Sequence, residues 1–292
     1  MRSDNPKLAV LYSLAAAFLY ALGGFLVQAF AKDIPNPMII FFRIVFSLFF
    51  LAPILTMQLP SMGALKTKSF PLHLLRAFTS LSAMFCLYYA LKFLPLVDVL
   101  LLTYTRPLFI PVIVYFWFGK KWTKQTFLGL VIGFLGVVLI LKPTEHIIEV
   151  ASLIGLASGL FGALAFTTIR RLTKTEFPDK ILFYYLILAL PISAISLVQG
   201  WISLNWHIFF VLLAIGFVAT LYQLCLTRAY RHAKAFKVGS LLYSTVIFGA
   251  LFQWLFLDNL TLDIPTVIGM VLIFLGSFLV MKVPSTKVPR EK

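Results

Sequence analysis

Acid is scarce in this 292-residue chain. Ten Asp and Glu stand against twenty-five Lys and Arg, and charged residues make up only 12% of the whole. None of the ten lies well inside an apolar run; Asp98 opens the fourth run and Asp258 follows the ninth. This argues against a relay of intramembrane carboxylates and leaves buried cations without an obvious partner. Cysteine is nearly absent too. Cys86 and Cys225 both fall in apolar segments without CxxC spacing, so they read as core fillers and offer neither a disulfide framework nor a metal site. There is no GxxxxGK[ST] phosphate loop and no His-Glu metal motif, and His73, His146, His207 and His232 stand alone in loops or at the ends of runs. ATP-driven work and metal catalysis have no support, and no cofactor is expected.

What the chain does have is apolar surface, with 61% apolar and 16% aromatic residues. That is far more than a soluble core needs, so the sequence describes an integral membrane protein. The net charge of +15 would suggest nucleic acid in a soluble protein. Here it reads as a topology signal, with membrane lipids as partners and no nucleic acid. Ten runs are long enough, or nearly so, to span: 8–31, 37–59, 72–91, 97–118, 125–141, 151–169, 181–199, 207–227, 238–257 and 264–281. The first is longer than a signal-peptide core and is expected to be retained. The connections are brief and rich in Pro, Gly, Lys and Asn, leaving no room for a soluble domain.

Nineteen of the Lys and Arg fall on the side of the membrane that holds both termini, and only Lys32, Lys92 and Lys142 fall opposite. This bias places both termini in the cytoplasm. The other three are intramembrane: Arg43, Arg76 and Arg106.

Internal repetition organises the rest. The segment 129–142, with Gly129, Gly136 and Lys142, matches 269–282, with Gly269, Gly276 and Lys282, at an offset of 140. Weaker matches join Ala90 to Ala229 and Phe109 to Phe248 at 139. The fold class is therefore all-α integral membrane, ten transmembrane helices as two five-helix repeats, 8–141 and 151–281, followed by a cytoplasmic tail, 282–292. Five is odd, so the second repeat enters the membrane inverted, an architecture of secondary transporters that bind substrate near the midplane.

Several motifs carry a resemblance. They are the Phe-Phe-Arg43 opening of the second helix, Leu75-Arg76 in the third, Tyr89-Ala-Leu91 before Pro95, Arg106-Pro-Leu in the fourth and Gly129-x-x-x-Gly133-x-x-Gly136 in the fifth. Together they resemble the EamA-type branch of the drug/metabolite transporter superfamily over nearly the whole chain. The run 71–96 and the Lys142-Pro143 close of the first half look most like the S-adenosylmethionine uptake carriers of intracellular bacteria. The resemblance implies transport across a bacterial inner membrane. One departure is visible: many members carry Gly-Glu after the fourth and ninth helices, where this chain has Gly119-Lys120 and Asp258-Asn259.

The costliest residue is Arg106, about nine residues or roughly 13 Å from either end of its run, with Pro107 and Pro111 beside it. The helix is expected to bend or open there. The arginine then either caps freed carbonyls or waits for a substrate carboxylate or phosphate, which its fork can hold at two points. Arg76 and Arg43 lie nearer a run end, where snorkelling or packing competes with substrate binding. Thr103 is three residues from Arg106 and would share its helix face. Tyr104, Tyr89, Gln28, Gln223, Tyr222 and Tyr243 complete the candidate substrate contacts. The glycine runs of the fifth and tenth helices suit close packing within a monomer or across a weak homodimer. The expected function is a secondary transporter of a small anionic or zwitterionic metabolite, S-adenosylmethionine first. An amino-acid or organic-anion exporter is the alternative, and an intramembrane lipid-modifying enzyme a distant one, since no acid, base or nucleophile cluster is present. The lack of buried carboxylates favours exchange or facilitated diffusion over tight proton coupling.

Overall fold

The computed structural model describes residues 5–58, 65–90, 92–94, 96–119, 122–144, 150–257 and 263–283. Pro95, Lys120, His146, the Asp258-Asn259 pair and the tail beyond Val283 lie outside the described residues, as does the side chain of Tyr88. Among the described residues, ten helical spans of 18 residues or more are long and apolar enough to cross a membrane. No strand occurs among the described residues.

In chain order the helices are α1 Pro6–Phe30, α2 Asn36–Gln58, α3 Phe70–Ala90, α4 Leu96–Thr103, α5 Arg106–Phe118, α6 Lys124–Leu141, α7 Ala151–Leu172, α8 Pro178–Ser196, α9 Trp206–His232, α10 Ala235–Leu241, α11 Ser244–Phe252 and α12 Ile264–Lys282. Helices α4 and α5 share one span, Asp98–Trp117, while α10, α11 and a short π-helical turn at Gln253–Leu257 share another, Ala235–Phe256. Polar side chains mark several starts. Asn5, Thr123, Asn205 and Asp263 each accept the amide three residues on, supplying partners for donors that a helix N-terminus leaves open. Gly119 ends α5 at φ +61°, a left-handed position suited to glycine.

The closest helix pairs run between the two halves and come in matched sets. Helix α1 packs on α9 as α7 packs on α3; α4 and α5 lie on α7 as α10 and α11 lie on α1; α6 packs on α12. The glycine runs are consumed in that last pair. A Cβ on Gly136 would meet the Gly269 carbonyl at 2.5 Å, and one on Gly269 would meet the Gly136 carbonyl at 2.7 Å. Small residues here let two backbones touch within one chain. Outward, large apolar side chains such as Phe49, Phe116 and Phe274 stay exposed, as a lipid-facing surface requires.

Candidate site at two opposed helix breaks

The fourth span opens where the prolines lead one to expect. Helix α4 stops at Thr103 and α5 begins at Arg106, because Pro107 has no amide to give the Thr103 carbonyl and its ring crowds the residues before it. Pro111, by contrast, sits inside α5 without ending it. Thr105 repairs part of the break: its hydroxyl donates to the Leu102 carbonyl at 2.5 Å, and its amide to the same oxygen at 3.3 Å. The Arg106 guanidinium caps nothing. No hydrogen bond or ion pair joins it to any described residue, and its buried Nε is without a partner.

A second break, with no proline beside it, lies at Leu242-Tyr243 between α10 and α11. The offset of 139 that joins Phe109 to Phe248 carries Tyr104 onto Tyr243, so the two breaks occupy equivalent places in the two halves. Both open onto one cavity of about 30 Å³, lined by Tyr20, Tyr104, Arg106 and Pro107 from the first half and Phe166, Tyr222, Leu242 and Thr245 from the second. That volume suits a water molecule and is far too small for a metabolite. Helix N-termini, the positive ends of helix dipoles, meet the cavity at Arg106 and beside Thr245.

Glycine shapes the wall behind Arg106. On α7, a Cβ at Gly162 would stand 2.5 Å from Arg106 Nε and 2.6 Å from its Cδ, and one at Gly159 would meet Thr105 Oγ1. The guanidinium carbon lies 5.8 Å from the centre of the Phe166 ring. Tyr20 and Tyr222, both in the cavity wall, are in direct ring contact, with centroids 5.0 Å apart and planes tilted by 53°.

Tyr222 is where the three intramembrane arginines converge. Arg43 and Arg106 both lie within electrostatic reach of its hydroxyl, and Arg76 does as well. Their surroundings differ. Arg76 is 1% exposed and does not snorkel: Nη1 donates to the Ile181 carbonyl at 2.6 Å and Nη2 to Gln223 Oε1 at 3.3 Å, with Tyr185 4.9 Å from the guanidinium carbon. Arg43 is half-buried and, like Arg106, makes no hydrogen bond or ion pair with a described residue.

The remaining candidates divide by place. Tyr104 and Tyr222 line the cavity, and Gln223 holds Arg76 beside it. Thr103 is buried and pairs with Ser158 of α7 at 3.0 Å; the break separates it from Arg106, so the two do not share one helix face, although both meet α7. Tyr243 is fully buried under Gly133, its hydroxyl unpartnered, next to the second break and outside the cavity wall. Tyr89 is 47% exposed near the end of α3, in tilted contact with the Phe93 ring and apart from the cavity. Gln28 is half-buried on α1 with no hydrogen bond. Sequence reasoning passed over Phe166 and Thr245 as cavity wall, and Gly159 and Gly162 behind it. The signals were the small-residue spacing Gly155, Gly159, Gly162 and the repeat offset.

Ten spans, opposed helix breaks and a small cavity between the halves define a membrane transporter of inverted-repeat type. The EamA-like transporter family matches residues 7–142 and again 150–282, and the chain belongs to that family. It is 30% identical over 280 residues to the pseudopaline exporter CntI of Pseudomonas aeruginosa, covering 92% of this chain and 94% of that one. It is 27% identical over 279 residues to human solute carrier family 35 member G1, covering 88% and 74%. A riboflavin transporter of Brucella anthropi is 30% identical over 209 residues, covering 69% and 72%. A crystal structure matches with a TM-score of 0.82 at 15% identity, covering 94% of this chain and 98% of that chain, which shows the fold. The relatives are transporters and not enzymes by name, and the chain is an integral multi-pass membrane protein.

Proposed function

We propose that this chain is a secondary carrier for a small anionic or zwitterionic metabolite bearing a carboxylate or phosphate, moved by alternating access of the two halves around the cavity at Arg106. One observation carries the reading: a midplane guanidinium, at a helix N-terminus and walled by tyrosines, has no hydrogen-bond or ion-pair partner among the described residues. Arg106 is half-buried with its Nε fully so, a cation at that depth without an anion is costly, and cargo can supply the anion. The alternative role, capping the break, is filled by Thr105. S-adenosylmethionine fits as first candidate. Its carboxylate would meet Arg106, its adenine would stack among Tyr20, Tyr104 and Tyr222, and its sulfonium would lie against an aromatic face. The printed cargoes of the relatives differ from one another, so they support transport and leave the cargo to this cavity. We place the protein in a bacterial inner membrane, both termini cytoplasmic, as a monomer, since the glycine faces of α6 and α12 are already used.

The test is uptake into liposomes containing the purified protein, using labelled S-adenosylmethionine, amino acids, dicarboxylates and nucleotide sugars. At least one anionic or zwitterionic member should be carried, and Arg106→Ala should abolish its uptake at normal expression. Unaltered uptake by Arg106→Ala would overturn the role given to that residue.

A further inference from the structure

A histidine outside the cavity is the least satisfied polar group in the described residues. His73 is fully buried four residues into α3, and neither ring nitrogen has a hydrogen-bond partner. Its ring stacks on Tyr184 of α8 at 4.4 Å, tilted by 28°. An unpaired buried polar group costs roughly 1–3 kcal/mol, so the position calls for a function that repays it. The charged groups that reach the ring are Arg76 on α3 itself, Glu176 in the α7–α8 connection and Lys180 on α8. Helices α4 and α7 also pack on α3, and among the described residues they bring no charge to it.

Those groups form a latch between the halves at the end of the molecule rich in Lys and Arg. Lys180 pairs with Glu176 at 2.6 Å, both side chains less than a tenth exposed. The pair also grips the α2–α3 connection: Thr67 donates to Glu176 at 2.5 Å, Lys180 to the Lys66 carbonyl at 2.5 Å, and Tyr184 to the Leu65 carbonyl at 2.9 Å. Arg76, one turn beyond His73, holds Gln223 beside the cavity residue Tyr222. His73 therefore stands between the basic end and the cavity, at a contact that must part whenever the cavity opens that way.

We propose that His73 is a proton-binding site, loaded from water at the basic end, and that protonation there favours opening of the latch. With the latch shut, a proton on the ring would have no hydrogen-bond acceptor among the described residues, and would face Arg76 and Lys180 with Glu176 already paired to Lys180. Once α3 and α8 separate, water reaches the ring, Lys180 turns to solvent, and the Glu176 carboxylate is free to accept from the imidazolium. The step is a proton transfer from water to a ring nitrogen, with no other bond made or broken; closing returns the proton. The inference rests on the alternating-access reading of the previous section.

The full chain tests it. With Cys86 and Cys225 replaced by Ser, Leu182→Cys puts a thiol at a fully buried position on α8, and Lys68→Cys gives an exposed control at the same end. The rate of maleimide labelling at position 182, divided by that at 68, should rise several-fold between pH 7.5 and pH 5.5, and His73→Gln should remove the rise. If His73→Gln does not fold, His73→Phe keeps the stack on Tyr184 and answers the same question. A ratio insensitive to pH, or an equal rise without His73, overturns the site. Either failure leaves the cargo reading standing, since that is decided by flux and by Arg106.

Discussion

The side chain of Arg106 occupies space that exists because residue 162 is glycine, a Cβ there standing 2.5 Å from its Nε. The obstacle is a flexible side chain, so Gly162→Ala should fold and push the guanidinium out of place. Transport is expected to fall by roughly tenfold, the change that about 1.4 kcal/mol produces, with the melting temperature in detergent nearly unchanged. Gly136→Ala differs in kind, because its Cβ would meet a backbone carbonyl, that of Gly269, at 2.5 Å. Prising α6 from α12 is expected to cost about 1–3 kcal/mol and to lower the melting temperature. Uptake and thermal unfolding measured on both variants would check the contrast, and equal effects on stability would contradict it.

The spans were legible because hydrocarbon leaves few choices: a long apolar run must become a helix. Site geometry was legible where chemistry is local. Pro107 announces the first break, and the cost of a midplane charge marks Arg106. Tertiary facts were hidden. Nothing local in 238–257 marks the break at Leu242-Tyr243, which only the equivalence of the halves could have located. His73 at the start of an apolar run reads as interfacial, and only the packing of α8 over it makes it buried. Arg76 likewise has a snorkelling position by depth, while Ile181 and Gln223, more than a hundred residues away in sequence, draw it inward.

Arg76 and Arg106 should respond oppositely to truncation. Arg76→Ala leaves the Ile181 carbonyl and the Gln223 side chain without their donor, each worth roughly 1–3 kcal/mol, so the protein should melt markedly earlier. Arg106→Ala strands no partner and removes an uncompensated charge, so its melting temperature should stay level or rise while uptake is lost. Thermal unfolding of the two purified variants decides this. A larger loss of stability for Arg106→Ala would show that its guanidinium has a structural partner.

Orientation has its own measurement. Single cysteines at Lys124 and Lys142, the two ends of α6, should be labelled from opposite sides of intact cells by an impermeant reagent. The charge bias requires position 142 to react from outside and position 124 only after permeabilisation. The reverse result would invert the whole assignment.

At the end of the molecule opposite the latch, Asp263 caps α12 through Thr266 and is paired with Lys142, which closes α6 at φ 50°. The hydrogen bond from Lys142, then that from Thr266, holds the carboxyl at about 2, below its ordinary 3.8. A carboxyl depressed on folding adds stability that is present above its unfolded value and lost as it protonates. The contribution is therefore complete above about pH 4 and fades as the pH falls toward 2. The pair is exposed, so the effect is small and weakened by salt. Asp263→Asn keeps an N-cap while removing the charge, and should lower the melting temperature slightly at pH 6 and not at all near pH 2. Asp263→Ala loses the cap as well and should melt earlier than Asn at both pH values. Melting curves of the three proteins at low and high salt would check the order; a loss in Asp263→Asn that persisted at pH 2 would mean that shape, not charge, makes Asp263 matter.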